Sequence, residues 1–248
     1  MVEVERKTLE AMRRDFTIWT VYHKDEQIEQ YGLKETDTRK LYATHKPCPW
    51  TDKPFNELNP AWSELVAMLN IWWSHKRSQW IGINHYRRQF DPNHLPKRGE
   101  CCCYARYDLR DTIIDHYGKC HHREDLETAI SIIDKRCGGE GNPLSNYLMT
   151  SLTLLGNMCF VMQWTDFFNM CFLIFGLLTE IASALIHPVD GTPEEELRLW
   201  REKAVRDFGE KRADYQMRTI SFIGERLVSA WIATNMKVIE IHAVNPYL

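Results

Sequence analysis

The stretch Trp80-Ile81-Gly82-Ile83-Asn84-His85-Tyr86-Arg87-Arg88-Gln89-Phe90 changes character in its middle. Its first four residues are a short apolar run bounded by polar ones, which predicts a buried strand and not a helix of useful length. An imidazole, a phenol and two guanidiniums then arrive where that strand would end. In open α/β sheets ligands collect outside the carboxyl ends of strands, so one run predicts a strand and a candidate site together. Arg87 and Arg88 offer planar, permanently charged forks suited to phosphate or carboxylate oxygens, while His85 and Tyr86 can add hydrogen bonds or general acid chemistry. The competing expectation for an arginine pair is an ordinary charged loop, so other features have to decide.

A second run behaves in the same way. Residues 16–21 are rich in β-branched and aromatic side chains, predict a first strand, and pass straight into Tyr22-His23-Lys24. Residues 25–56 are polar and proline-dotted and predict a partly irregular excursion. Asn59-Pro60 then supplies an N-cap and first-turn proline for a helix over 59–77. Trp62, Leu65, Val66, Leu69, Trp72 and Trp73 share one face of that helix, and Glu64 falls outside its polar stripe. A carboxylate on a largely apolar side needs a partner, for which Arg87 and Arg88 are candidates, unless it is a solvated charge favoured by the helix dipole.

Further along, 107–117 is amphipathic and a helix is expected to reach residue 136. The break at 138–143 lacks the spacing of a phosphate-cradling loop. Residues 154–162 predict a buried strand with Gly156 allowing close backbone approach. Residues 166–186 are apolar enough to be compared with a membrane span, but Asn169, Glu180 and Ser183 favour a helix buried against a sheet. A solvated helix over 193–208 opens on Thr192-Pro193-Glu194-Glu195-Glu196, a short helix is expected over 225–232, and 237–242 closes as a strand. Strands alternating with helices predict an α/β chain: a polar leader at 1–14 and one domain over 15–248.

Composition narrows the partners. A net charge of −3 over 248 residues provides no overall basic field for nucleic acid. The charged start of the chain does not resemble a secretory signal, so reduced thiols in the cytoplasm are expected. The eight cysteines show no paired C-x-x-C spacing, and Cys101-Cys102-Cys103 suits neither a zinc site nor a disulfide framework. Cys120-His121-His122 invites a metal reading, but adjacent side chains rarely converge on one ion.

The ordered set Tyr22-His23-Lys24, Asn59-Pro60-Ala61-Trp62-Ser63-Glu64-Leu65, Ile81-Gly82-Ile83-Asn84-His85-Tyr86-Arg87-Arg88, Gly156-Asn157-Met158 and Phe222-Ile223-Gly224-Glu225-Arg226-Leu227 resembles a family of capsular and exopolysaccharide glycosyltransferases with an H-Y-R-R motif, long catalogued as a domain of unknown function. The similarity runs over about residues 16–235. It implies a GT-A-like, Rossmann-type mixed sheet flanked by helices, and transfer of a sugar from a nucleotide diphosphate sugar, a uridine diphosphate sugar by preference, to a glycan hydroxyl. By that resemblance His23, Lys24, Glu64, Tyr86, Arg87, Arg88 and Arg226 bind the donor, with His85 in the catalytic centre. Asn157 and Met158 face the acceptor, a glycan or lipid-linked glycan at a membrane surface, and Glu225 is the base of an inverting transfer. The place of a metal-binding Asp-x-Asp holds His85, Arg87 and Arg88, so a cationic cluster can neutralise the departing diphosphate. Manganese or magnesium bound through His85 stays open as the alternative. Gln89 and Asn84 depart from the family's pattern and bear on donor identity. Two other readings accompany this one: a metal-dependent phosphohydrolase using His121, His122 and nearby acids, and a non-catalytic nucleotide-sugar or glycan-binding module.

Overall fold

A computed structural model describes residues 15–48, 50, 55–74, 77–88, 95–104, 106–155 and 158–241. The expected leader, Asn157, Gly156, Gln89 and the end of the last expected strand lie outside those residues. The chain builds a six-stranded mixed sheet in the order β2-β1-β3-β7-β4-β8. The strands are β1 (Phe16–Tyr22), β2 (Arg39–Ala43), β3 (Trp80–His85), β4 (Glu100–Cys103), β7 (Phe160–Gln163) and β8 (Lys237–Glu240), while β5 (Arg106–Asp108) and β6 (Thr153–Leu155) form a separate antiparallel pair. β1, β2 and β3 are parallel neighbours, β7 runs antiparallel to β3 and β4, and β8 is parallel to β4.

The central strands β1, β3, β4 and β7 are buried on both faces, and alternation sorts their side chains. Trp19, Val21, Ile81, Ile83, Cys101, Cys103, Phe160 and Met162 join the large core, whereas Ile18, Trp80, Cys102 and Val161 join a smaller cluster on the opposite face. This explains the cysteine triplet, which is a central strand made of small buried residues, unbridged and with burial pushing the Cys101 and Cys102 thiols up. Gly82 is obligatory in the centre of the sheet, because a Cβ there would lie 2.7 Å from Val161 Cγ2.

The helices are α1 (Glu26–Gln30), α2 (Asn59–Trp62), α3 (Leu65–Trp73), α4 (Ile113–Cys120), α5 (Arg123–Arg136), α6 (Pro143–Thr150), α7 (Trp164–Ile186), α8 (Pro193–Phe208), α9 (Glu210–Gln216) and α10 (Thr219–Asn235). α8 has the expected bounds, and Thr192 accepts the Glu195 N–H as its cap. α7 is a core helix with one face buried, including Phe167, Ile174, Leu178 and Ile181. Its outer side carries Asn169, Phe172 and Ser183, and Phe172 and Trp73 flank an apolar groove between α7 and α3.

Two expectations are corrected and a third is filled in. The single helix over 59–77 is two helices, because Ser63 turns to φ 48° between α2 and α3 and α3 ends at Trp73. The strand over 154–162 is also two, β6 and β7 in different sheets, with Met158 at φ 51° between them. The excursion over 25–56 contains α1 and the edge strand β2, whose Arg39-Lys40 start hides its strand character behind the charges an edge tolerates.

Candidate functional site

Because β1, β2 and β3 are parallel, His23 beyond β1, Thr44 beyond β2 and His85 at the end of β3 emerge on one edge of the sheet. Between them lies the Glu64 carboxylate. Its Oε1 is 3.0 Å from His23 Nε2 and 3.2 Å from His85 Nε2. The partners foreseen for Glu64 were arginines; in the structure they are imidazoles. His23 Nδ1 sits 2.7 Å from Thr44 Oγ1, and the backbone N–H groups of His23 and Lys24 both donate to Gln27 Oε1. The Arg87 backbone N–H donates to His85 Nδ1 at 3.2 Å. An Nδ1 that accepts leaves the proton of a neutral imidazole on Nε2, so His85 donates to Glu64.

The electrostatics agree with that assignment. Burial pushes the Glu64 carboxyl up, but hydrogen bonds from His23 and His85 outweigh it and hold the group well below the usual carboxylate range. Burial lowers the His85 imidazole; Glu64 offsets part of this, and Arg87 and His23 add to it. At neutral pH the centre is therefore an ionised carboxylate beside a neutral His85.

The cavity next to this carboxylate has a volume of about 720 Å³ and is lined by His23, Lys24, Tyr31, Glu64, His85, Tyr86, Arg87 and Arg218, among others. Tyr86 meets Tyr31 edge-on at 5.0 Å and carries the Arg87 guanidinium 5.2 Å over its ring. Lys24, Arg87 and Arg218 line the cavity together with the carboxylates of Glu26, Glu64 and Asp214, so its charge is mixed, and the cations are the groups an anionic ligand can pair with.

Not every expected residue lines this cavity. Arg88 turns the other way, with its guanidinium 5.9 Å over the Tyr104 ring. Cys159 Sγ accepts the His85 backbone N–H at 3.3 Å. Burial takes that thiol up to about 12, the His85 hydrogen bond lowers it, and the charges of Arg88, Glu64 and Glu225 all act on it. Among the described residues, the cavity lining includes neither Arg88 nor Glu225. Met158 is buried in the large core. Arg226 is turned into the protein: Nη1 donates to the Phe222 carbonyl at 2.8 Å, and the guanidinium lies 4.8 Å over the Tyr117 ring of α4. Its closest approach to Glu225 is 3.9 Å. Ser63, Thr44, Cys159 and Arg218 were not foreseen, and nothing in local sequence distinguishes them.

Among the described residues, two groups of side chains have metal-ligand composition. Ligand atoms of His23, Glu64 and His85 all lie within 4.8 Å of one another. A ligating nitrogen must offer its lone pair, however, and the contact from Arg87 places the His85 proton on Nε2, the atom that would ligate. The donor set therefore fits a hydrogen-bonded carboxylate better than a divalent cation. In the second group, His122, Asp125 and Asp207, the cation is already supplied. The buried Lys203 ammonium lies 2.7 Å from Asp125 Oδ1 and 2.5 Å from Asp207 Oδ2. His121 points elsewhere, its Nδ1 3.0 Å from Gln216 Oε1 and its ring stacked on Phe222 at 4.1 Å.

No family model matches the chain, and no curated protein matches it. A solved structure does: the apo form of WbbM, a bifunctional glycosyltransferase, is similar with a TM-score of 0.65 and 16% identity over 92% of this chain. The chain shares its fold with part of that glycosyltransferase. It spans 45% of the length of that protein. At this identity the likeness is one of fold and does not single out the H-Y-R-R family. The carboxyl edge of β1 and β3 is where open α/β sheets hold their ligands, and Glu64, His85 and the cavity are on that edge.

Proposed function

We propose that the chain transfers a sugar from a nucleotide diphosphate sugar, a UDP sugar by preference, to a glycan hydroxyl. The observation that carries this reading is a cavity with Lys24, Arg87 and Arg218 at the carboxyl edge of a sheet shared with a glycosyltransferase. Lys24 and Arg87 pair with the diphosphate and stabilise the charge that grows on it as the anomeric C–O bond breaks, electrostatic work a metal ion performs elsewhere. Tyr86 and Tyr31 offer ring faces and edges to the base. Glu225 takes the proton from the acceptor hydroxyl as its oxygen attacks the anomeric carbon, with inversion, and the diphosphate leaves with the bond's electron pair. Asn157 belongs to the acceptor side of this reading. The acceptor is a glycan, free or lipid-linked, and the reaction runs in the cytoplasm, at a membrane surface where the acceptor is lipid-linked.

Lys203, paired with Asp125 and Asp207, and the divergence of His121 from His122 count against the phosphohydrolase reading. A panel of nucleotide sugars, scored for thermal stabilisation without added metal and then for transfer, tests the proposal. Stabilisation by UDP and its sugars with turnover on an oligosaccharide acceptor is the expected result. Binding with neither transfer nor donor hydrolysis would leave the non-catalytic module, and no stabilisation by any member would overturn the reading.

A further inference from the structure

Helix α10 touches the chain on both sides of Glu64. From its N-cap, Arg218 donates through Nε to Ser63 Oγ at 2.7 Å, and its Nη2 donates to the same oxygen. Farther along, Gly224 lies so close to Leu65 that a Cβ would stand 2.5 Å from Leu65 Cδ1. The residue gripped between these points is strained. Ser63 has φ 48° and ψ −130°, close to the first central position of a type II′ turn, a conformation that glycine dominates. It is 1% exposed, so water does not compete for its hydroxyl. The strain does something visible: it ends α2, lets α3 start afresh with Glu64 at its N-cap, and turns the Glu64 carboxylate to His23 and His85 instead of along one continuous helix. Strained backbone persists where the surroundings over-determine it. Here the surroundings are two residues of a helix about 155 positions away in the chain.

We infer that Arg218 is a positioning residue, which by bonding Ser63 from the start of α10 holds the strained corner that aims Glu64 at the two imidazoles. The geometry stands without any assumption about the reaction, whereas its effect on ligand binding rests on the nucleotide-sugar reading. Because α10 also carries Glu225, one helix sets the carboxylate beside the donor cavity and the proposed base. Arg218 lines the cavity as well, so the competing role is direct contact with the diphosphate, and the test has to separate the two.

The full chain is prepared as wild type, Arg218→Ala, and Arg218→Ala combined with Ser63→Gly. Each is measured for UDP affinity by calorimetry without metal and for the titration of His85 by NMR. Losing the clamp should weaken UDP binding by about tenfold to a hundredfold, the order expected for a site displaced by about 1 Å. It should also lower the His85 titration further, since the Glu64 carboxylate no longer offsets burial. Glycine adopts the corner without steric cost, so the double variant should recover the His85 titration and bring UDP affinity back to within about threefold of wild type. An unchanged His85 titration in Arg218→Ala would overturn the inference. A loss of affinity that Ser63→Gly does not restore would also overturn it and make Arg218 a ligand of the diphosphate. If Arg218→Ala does not fold, Arg218→Lys with and without Ser63→Gly makes the same comparison. If wild type does not bind UDP, the donor reading fails by itself, and the His85 titration still decides the clamp.

Discussion

Replacing Glu64 with glutamine keeps the shape of the side chain and removes its charge. Both imidazoles approach the same oxygen, His23 at 3.0 Å and His85 at 3.2 Å, and the amide oxygen of glutamine can still accept from both. What disappears is the charge assistance, about 1 kcal/mol per bond, or about 2 kcal/mol in all, the difference between hydrogen bonds to charged and to neutral groups. For a chain of this length that corresponds to a fall in Tm of about 4–8 °C at pH 7. The sign with pH follows from the direction of the shift. The folded Glu64 carboxyl lies well below its ordinary value, so the unfolded chain binds its proton more readily. The stabilisation is fully present above the unfolded value, about 4.3, and is lost as pH falls through the folded one. Melting curves of wild type and Glu64→Gln recorded from pH 7 to pH 3 should therefore converge towards acid. A gap of constant size over that range, or no gap at pH 7, would show that the ionised carboxylate is not the acceptor of the two imidazoles.

Arg87→Ala should remove most of the UDP-induced rise in Tm, and Arg88→Ala less, because only Arg87 lines the cavity while Arg88 packs on Tyr104; equal losses would refute the division between them. Glu225→Gln should keep that rise and lose transfer, and unchanged turnover would remove Glu225 from the mechanism. Gly224→Ala should destabilise by about 1–3 kcal/mol through overpacking against Leu65, and Leu65→Val should recover part of it in urea melts. His121 is held by burial at about 4 against an ordinary 6.5. Its unfolded form thus takes up the proton first, and about 3 kcal/mol of stability should vanish between pH 6.5 and 4. His121→Phe should flatten that part of the pH profile, and a profile unchanged by the substitution would place the acid sensitivity elsewhere.

Several features of this protein follow from local sequence alone. β1 and β3 are short apolar runs that stop abruptly at polar residues, and such a run has few ways to be satisfied other than as a buried strand. The same abruptness brought His23, His85 and Arg87 to the sheet edge, since the residue after a parallel strand has nowhere else to emerge. α8 announced itself through Thr192 and Pro193, and the α/β class through alternation of the two periods. The cysteine triplet concealed β4, because three identical small residues display no alternation even though the strand sorts them to opposite faces.

The tertiary structure decided the rest. Glu64 is 41 residues from His23, and Ser63 is 155 from Arg218. Whether a buried carboxylate meets imidazoles or guanidiniums depends on which strand ends lie side by side, which is a property of sheet order and not of neighbouring residues. The break at Ser63 has the same origin. An N-cap, a proline and an apolar face all favour one continuous helix there, and only a guanidinium and a close-packed glycine from α10 make the strained alternative the lower in energy.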